Sequence, residues 1–293
     1  MNVQPIALAA RGAAPSPATT AAVQRIGRAA VAALHDELVL DPKPGLVSLV
    51  DSGSHCDMDA RTFMRSLFAL RHSFRRLAAL GAAGADFAAL EHEGLAAEAR
   101  MLQATAGVNT HRGAIFTLGL LCASAGALSA RGAVLWAPAL RDALIQHWGG
   151  ALGRRATQPR PTHGSTVERR LAVHGASAEA ARGFPVLFDT TLPALQTALS
   201  SGLGPRLARI DSLFHTIAVL DDTNLAHRGG LSGLRYAQEA AGDYLRAGGV
   251  RRPDGIEQAC RLHRDFVARR LSPGGAADLL SAACWLQRVC APG

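Results

Sequence analysis

Residues 113–130 read Gly-Ala-Ile-Phe-Thr-Leu-Gly-Leu-Leu-Cys-Ala-Ser-Ala-Gly-Ala-Leu-Ser-Ala, and they contain no charged side chain. A run of about 18 residues touches the lower limit for a membrane-spanning helix. Its many glycine, serine and threonine residues make it only mildly apolar, so a helix buried inside a folded domain is the better interpretation. This segment predicts an all-α protein built around one central buried helix.

The composition of the whole chain favours the same fold class. Of its 293 residues, 48% are hydrophobic and 18% are charged, and alanine and leucine, which favour helices, are abundant. A chain of this length reaches the upper limit for one hydrophobic core, and the sequence shows no internal repeat and no linker. We therefore expect one compact helical domain over residues 21–293, preceded by a disordered tail over residues 1–20.

The charge balance and the cysteine count restrict the function classes. The formal net charge is +8, which suits anionic ligands, but no arginine-rich tail or aromatic run indicates a nucleic-acid partner. Five cysteines without a Cys-x-x-Cys pair indicate neither a disulfide framework nor a zinc site. Residues 1–17 lack the features of a signal peptide. We expect a cytoplasmic protein that acts without a membrane.

Apolar residues at helical spacing predict further helices along the chain. Asp59 is expected to cap the second of them. Residues 41–59 are predicted to form a loop, and residues 153–165 a surface loop that resembles a mobile lid. Gly183-Phe184-Pro185 is predicted to break the chain. The predicted helices cover about residues 21–40, 60–77, 87–105, 138–149, 166–182, 189–201, 204–220, 229–247 and 254–271, and a last helix begins at residues 272–275.

A dense group of polar residues stands directly before the central helix. Residues 105–113 read Thr-Ala-Gly-Val-Asn-Thr-His-Arg-Gly. The start of a helix offers free backbone N–H groups and the positive end of the helix dipole, and cationic side chains add to that attraction. We therefore predict that this segment binds an anion such as phosphate, through Asn109, Thr110, His111 and Arg112.

Lys43 is the single lysine among 31 basic residues, and it stands in Asp41-Pro42-Lys43-Pro44-Gly45. An ammonium group is a compact point charge, whereas a guanidinium is a planar fork, so this position is interpreted as a site that needs a lysine. The alternative is that one lysine survived there by chance.

Two further features suit a polyphosphate. Ser272 and Pro273 match the N-cap and first position of the last helix, and Gly274 and Gly275 follow. Each of these glycines lowers helix stability by roughly 1 kcal/mol, which makes sense if a ligand must approach the backbone closely. Arg228 supplies another cation.

Carboxylates occur in two pairs, Asp57 with Asp59 in a loop and Asp221 with Asp222 at the end of a predicted helix. The C-terminal end of a helix disfavours acids, and local rules are often broken where a hard cation such as Mg²⁺ is held. The alternative is an ordinary solvated helix end in which Asp222 caps the next turn. With the basic groups, these acids suggest a magnesium–polyphosphate substrate, although no Walker A or dinucleotide motif is present.

Glu37 and Glu98 lie on predicted helix faces that turn towards the core. Each carboxylate is either buried and functional or placed on the rim of its helix, and the sequence leaves both interpretations open.

In chain order, these motifs resemble the triphosphoribosyl-dephospho-coenzyme A synthase family. The resemblance extends from about residue 37 to residue 280 and departs at Arg112, where the family often has lysine. The most specific stretches are Asn109-Thr110-His111 with Gly113-Ala114-Ile115-Phe116, and Ser272-Pro273-Gly274-Gly275 with Ala277-Asp278-Leu279-Leu280. The matching segments also include Pro42 to Val47, Gly53 to His55, Glu98 with Met101, Gly183 to Pro185, and Asp222 to Asn224 with His227 to Gly230.

The resemblance implies an all-α enzyme that transfers the triphosphoribosyl part of ATP to the 2′-hydroxyl of 3′-dephospho-coenzyme A and releases adenine. The product is the prosthetic-group precursor of an acyl carrier subunit in citrate lyase or malonate decarboxylase, and residues 159–164 favour malonate decarboxylase. Asp222 and Glu98 are then the candidate catalytic carboxylates. Mg²⁺ is expected on some of Asp57, Asp59, Asp221 and Asp222. The phosphates are expected on Lys43, Asn109, Thr110, His111, Arg112, Arg228, Ser272, Gly274 and Gly275.

Two other function classes remain open from the sequence, together with the oligomeric state, for which a homodimer is the expectation. His35-Asp36 is the dipeptide of helical metal-dependent phosphohydrolases, in which His55 and His72 could be further ligands. A non-catalytic module that binds a carrier protein is the third class, but it leaves the clustered acids unexplained.

Overall fold

The computed structural model describes residues 16–157 and 175–290, which form helices joined by turns and loops, with no strand among them. The all-α prediction is therefore confirmed. The first half contains α1 (Pro17–Leu38), α2 (Ala60–Leu70), α3 (Ser73–Ala82), α4 (Phe87–Ala104), α5 (Arg112–Ala130), α6 (Ala137–Leu144) and α7 (Gly150–Thr157). The second half contains α8 (Ala176–Ala181), α9 (Leu192–Ser200), α10 (Pro205–Val219), α11 (Thr223–Arg246), α12 (Gly255–Ala268) and α13 (Gly274–Val289).

Helix α5 is the central helix, and α1, α3, α4, α6 and α13 pack against it. Its small residues let backbones approach closely. A Cβ atom on Gly126 would overlap the carbonyl oxygen of Ala78, and one on Gly81 of α3 would overlap that of Ala123. Within the described ranges, α5 is the one helix long and apolar enough to cross a membrane, and 72% of its most apolar stretch is buried against its neighbours. Such burial is typical of a core helix.

Several boundaries differ from the sequence prediction. Helix α1 begins at Pro17, inside the predicted tail, because Ser16 caps it by accepting a hydrogen bond from the Thr19 N–H at 3.1 Å. The predicted helix 60–77 is two helices, because the chain turns at Arg71 and His72 and thereby lays α3 along α5. Asp59 caps α2 as predicted, accepting from the Thr62 N–H at 2.8 Å.

The segment around the predicted lid also differs. The helix predicted to end near Gly149 continues through a π-helical turn (Ile145–Gly149) into α7, so residues 153–157 are helical and not part of a loop. The rest of that predicted loop, and the start of the predicted helix 166–182, lie outside the described residues. The predicted break at residues 183–185 is present, with positive φ at Gly183 and Phe184.

Asp221 and Asp222, which were predicted at the C-terminal end of a helix, instead lie before the start of the next helix. Helix α10 ends at Val219, and Asp222 is the N-cap of α11, whose carboxylate accepts hydrogen bonds from the N–H groups of Asn224 and Leu225 at 2.8 and 3.4 Å. A negative charge is favoured there by the helix dipole. The predicted start near residue 229 is replaced by a kink at Gly230, where φ is 63°.

Candidate active site

The N-terminal ends of α5, α11 and α13 meet beside the C-terminal end of α1. Asp222, the cap of α11, accepts a hydrogen bond from the Ala276 N–H in α13 at 3.0 Å. Asp278 of α13 in turn accepts one from the Ala114 N–H in α5. The tertiary fold thus brings together five ionisable side chains, which we call the buried polar cluster: Glu37, Lys43, His111, Asp222 and Asp278.

Lys43 forms an ion pair inside this cluster. Its side chain is fully buried, and its Nζ donates to the Glu37 Oε1 at 2.5 Å and to the Glu37 carbonyl at 2.7 Å. Burial lowers the pKa of Lys43, whereas the charges of Glu37 and Asp41 oppose that change. The structure places the ammonium against a carboxylate, so the predicted phosphate contact of Lys43 remains untested, and its observed role is to balance Glu37.

Asp222 is 2% exposed and holds two helices together. Burial raises the pKa of its carboxyl, while the hydrogen bonds from Ala276, Asn224 and Leu225 act in the opposite direction by stabilising the charged form. The glycine at position 275 leaves room for this contact, since a Cβ there would lie 3.0 Å from the Asp222 Oδ2. Asp222 is therefore a desolvated carboxylate at the meeting point of two helix starts.

Asp278 stands in one of the stretches that resemble the family, but the sequence predicted no role for it. Burial raises its pKa well above the usual value, and the charges of Asp222 and Glu37 raise it further. Asp278 keeps some solvent-exposed surface, and a Cβ on Gly113 would overlap its Oδ2. The available signal was weak, since it is one acid in an otherwise apolar helix start. Two acids with raised pKa values in contact with helix starts are typical of a functional site.

We predict that Asp278→Asn stabilises the protein at neutral and higher pH by about 0.5–2 kcal/mol. Because the folded state raises the pKa of Asp278, folding binds its proton more tightly, so the wild-type free energy of unfolding falls as pH rises above the unfolded value. Asparagine keeps an acceptor for the Ala114 N–H and has no charge to desolvate. Urea unfolding of both proteins at pH 5 and pH 8 measures the effect. A stability difference that does not grow with pH would contradict the assignment.

His111 is 3% exposed, and its Nδ1 lies 2.6 Å from the Ser66 Oγ and 3.2 Å from the Thr110 Oγ1. The Phe63 ring meets the imidazole edge-on, with centroids 4.9 Å apart. Burial, with a smaller contribution from the charge of Lys43, lowers the pKa of His111 to about 3. The imidazole is therefore neutral at physiological pH.

A second group of residues borders the cluster. The His55 Nδ1 accepts from the Arg228 Nη2 at 2.9 Å, so its Nε2 carries the hydrogen and donates to the Ser272 Oγ at 2.9 Å. Burial and the charge of Arg228 lower the pKa of His55 to about 4. Ser54 completes the contact by donating to the Leu271 carbonyl at 2.5 Å, which joins the loop after α1 to the start of α13.

This contact overturns the prediction that Ser272 caps the last helix. Helix α13 begins at Gly274, Pro273 occupies the cap position, and no side chain caps it. Ser272 points to His55 instead, because a tertiary partner competes with the local one. Gly274 and Gly275 are partly exposed and lie against Asn224 and Asp222, respectively.

The segment before α5 is organised around Arg112. The Asn109 Oδ1 accepts from the Arg112 N–H at 3.1 Å, and the Arg112 guanidinium pairs with Glu98. Glu98 is therefore a half-buried ion-pair partner on the rim of α4. Arg112 is exposed at the surface beside this ion pair.

The predicted magnesium ligands are distributed over different parts of the site. Asp57 is exposed, with its Oδ1 3.7 Å from the His55 Nδ1, and the Asp59 Oδ1 is engaged by Thr62. Asp221 is half-buried and adjoins the cap of α11. In the part of the chain that the structure describes, no three His, Cys, Asp or Glu side chains are arranged as a metal site.

The His35-Asp36 dipeptide has a structural role here. Asp36 forms ion pairs with Arg209 of α10 and Arg288 of α13, which fixes these helices to α1. His72 is the exposed N-cap residue of α3. These positions give no support to a phosphohydrolase site.

Comparison with known proteins identifies the family. The family model for CitG, described as ATP:dephospho-CoA triphosphoribosyl transferase, matches residues 23–292. The match includes every residue of the buried polar cluster and of its border. No solved structure matches the chain.

Proposed function

Because the chain belongs to the ATP:dephospho-CoA triphosphoribosyl transferase family and is a triphosphoribosyl-dephospho-CoA synthase, we propose that the buried polar cluster is where ATP is cleaved and the acceptor is joined. The observation that carries this proposal is the pair of acids with raised pKa values, buried Asp222 and partly exposed Asp278, at three converging helix starts. The acceptor is the 2′-hydroxyl of 3′-dephospho-coenzyme A, and adenine is released.

In the proposed reaction, the C1′–N9 bond of ATP breaks and its electron pair moves to the purine. The ribosyl group then carries positive charge, as in glycoside chemistry, and the hydroxyl oxygen forms the new bond to C1′. The hydroxyl proton passes to Asp278 and then to solvent, and adenine takes up one proton from solvent, so the protons balance and Asp278 is regenerated. Asp278 suits the base role because a carboxyl with a raised pKa is a better proton acceptor near neutral pH.

In this proposal, the Asp222 carboxylate faces the ribosyl cation and stabilises its positive charge. Three backbone N–H groups stabilise its ionised form, whereas Asp278 has one such donor. When two carboxyl groups in one site have different environments, their pKa values differ, and each can take a different role in the reaction. Asp278 thus replaces Glu98 as the candidate base, since Glu98 is paired with Arg112 at the rim.

We propose Mg²⁺ as the cofactor. The donor set fits it in part: Asp222 and Asp278 offer hard oxygen ligands close to each other, and Mg²⁺ is usually held by one or two carboxylates together with substrate phosphates. Asp222 would hold the ion, and Asp57, Asp59 and Asp221 remain predicted ligands. When bound, Mg²⁺ neutralises charge on the triphosphate.

Exposed cations at the border are the proposed phosphate contacts. Arg228 and Arg112 are both exposed, and each is oriented by a fixed partner, His55 and Glu98 respectively. Arginine presents a planar fork that matches phosphate oxygens. Asn109, Thr110, Ser272, Gly274 and Gly275 remain predicted contacts near these two side chains.

The test is incubation of the protein with ATP, Mg²⁺ and 3′-dephospho-coenzyme A, followed by chromatography for free adenine and mass analysis of the product. We expect adenine and a product heavier than the acceptor by one triphosphoribosyl group, in equal amounts. Omission of the acceptor is the control, because a hydrolase releases adenine without it. Adenine release that is independent of the acceptor would contradict the proposal.

We further propose that the product serves malonate decarboxylase in the cytoplasm. Support comes from the sequence of residues 159–164, which lie outside the described residues, and from the cytoplasmic supply of ATP. The check is to delete the gene in its source organism and measure malonate decarboxylase and citrate lyase activity in extracts. Loss of citrate lyase activity with malonate decarboxylase activity retained would contradict the assignment.

A homodimer also remains a prediction, which light scattering of the purified protein can check.

A further inference from the structure

One atom of the buried polar cluster has no partner. The His111 Nε2 is buried without a hydrogen bond within the described part of the chain, whereas Nδ1 has two hydroxyl neighbours and the His111 N–H is directed at the Met101 Sδ at 3.2 Å. A buried, unsatisfied ring nitrogen costs about 1–3 kcal/mol. Such an atom is explained if a ligand supplies the missing hydrogen bond.

The neighbours of His111 determine which nitrogen carries the hydrogen. Ser66 is fully buried, and its hydroxyl has no other hydrogen-bond partner among the described residues than the His111 Nδ1 at 2.6 Å. A buried hydroxyl donates where it can, so Ser66 donates its hydrogen to Nδ1. The Nε2 atom of the neutral ring then bears the hydrogen and is a donor.

The surroundings of Nε2 select the kind of acceptor. Burial and Lys43 keep the imidazole uncharged, with a pKa of about 3, and the Phe63 ring lies edge-on to it. A phosphate is multiply charged and strongly hydrated, and it is better served by Arg228 and Arg112 at the exposed border. An uncharged, buried donor beside an aromatic ring suits the ring nitrogen of a planar, uncharged base.

We propose that His111 binds the adenine of ATP by donating its Nε2–H to a purine ring nitrogen, N7 or N3. This assignment rests on the proposed function and replaces the phosphate contact predicted from the sequence. When the C1′–N9 bond breaks, its electron pair spreads over the purine ring, so a hydrogen bond to N7 or N3 strengthens in the transition state. His111 keeps its own proton throughout and acts by stabilising the departing base.

The experiment compares ATP with 7-deaza-ATP and 3-deaza-ATP, which each lack one of the two acceptors, in the wild type and in His111→Phe. The phenylalanine keeps a ring against Phe63 but has no donor. We expect the variant to lose at least about tenfold of the wild-type preference for ATP over one analogue, a change of about 1.4 kcal/mol. Both kcat/KM and equilibrium ATP binding without acceptor are measured, and comparing ratios removes the intrinsic reactivity of each analogue.

Further variants keep the test decisive. Ser66→Ala removes the hydroxyl that fixes the tautomer and should weaken the same preference, which covers the case in which His111→Phe does not fold. His215→Phe, at a half-buried position on α10 outside the buried polar cluster, is the control and should leave the preference unchanged. Unchanged ratios for both analogues in both variants would overturn the inference. Absence of acceptor-dependent adenine release in the wild type would instead overturn the proposed function, so the two failures differ.

Discussion

Asp222→Asn is expected to lower kcat for adenine release by about a thousandfold. The substitution removes the negative charge that is proposed to face the ribosyl cation and to hold Mg²⁺, and the loss of one well-placed electrostatic group typically costs two to three orders of magnitude. The Asp222 side chain is buried, so water molecules cannot enter to stabilise the ribosyl cation in place of the carboxylate. Adenine release under saturating ATP, Mg²⁺ and dephospho-coenzyme A measures the effect.

The same substitution also disturbs structure, and the control must separate the two effects. Asparagine can keep the bonds from Asn224 and Leu225, but its amide nitrogen then faces the Ala276 N–H, so some stability is lost as well. Asp86→Asn is the matched control, because Asp86 caps α4 by accepting from the Ala89 N–H at 2.9 Å and lies outside the cluster. It should lose at most about 1 kcal/mol of stability and no activity. Turnover of folded Asp222→Asn within tenfold of the wild type would refute the assignment.

Local patterns were sufficient where local physics decides the structure. The charge-free run predicted the buried helix α5, and Asp59 was recognised as a cap because a short polar side chain before an apolar stripe stabilises a helix start. The apolar stripe of residues 63–77 concealed the turn at Arg71 and His72, because the spacing stays nearly in phase across it. Periodicity therefore showed which residues face the core, but not where the chain turns.

The site could be predicted only in part from the sequence, because its contacts join distant parts of the chain. Glu37 and Lys43 were each noted, but their pairing depends on how the loop after α1 folds back. Ser272 followed the rule for a helix cap and was nevertheless taken by His55, which is 217 positions away in sequence. The raised pKa of Asp278 comes first from burial and then from the charges of Asp222 and Glu37, and none of these is visible in a local sequence pattern.

Lys43→Met is expected to destabilise the protein by about 3–5 kcal/mol, because it leaves the Glu37 carboxylate buried without its cation. The Lys43 side chain is fully enclosed, so water cannot take the place of the ammonium. Urea unfolding at pH 7 measures the change. Lys43→Arg keeps the charge but forces a larger planar group into the same space, so it should also lose stability.

The second variant of this test is Glu37→Gln combined with Lys43→Met. With both charges gone, no buried ion remains unbalanced, and most of the lost stability should return, since a buried ion pair is often replaced at little cost when both partners change together. The matched control is the exposed pair of Arg246 and Asp243, where Arg246→Met should change stability by at most about 0.5 kcal/mol. If Lys43→Met loses less than about 1 kcal/mol, or the double variant is as unstable as the single one, then Lys43 does not balance Glu37. In that case the one lysine of the chain is free to serve ATP directly, as the sequence had suggested.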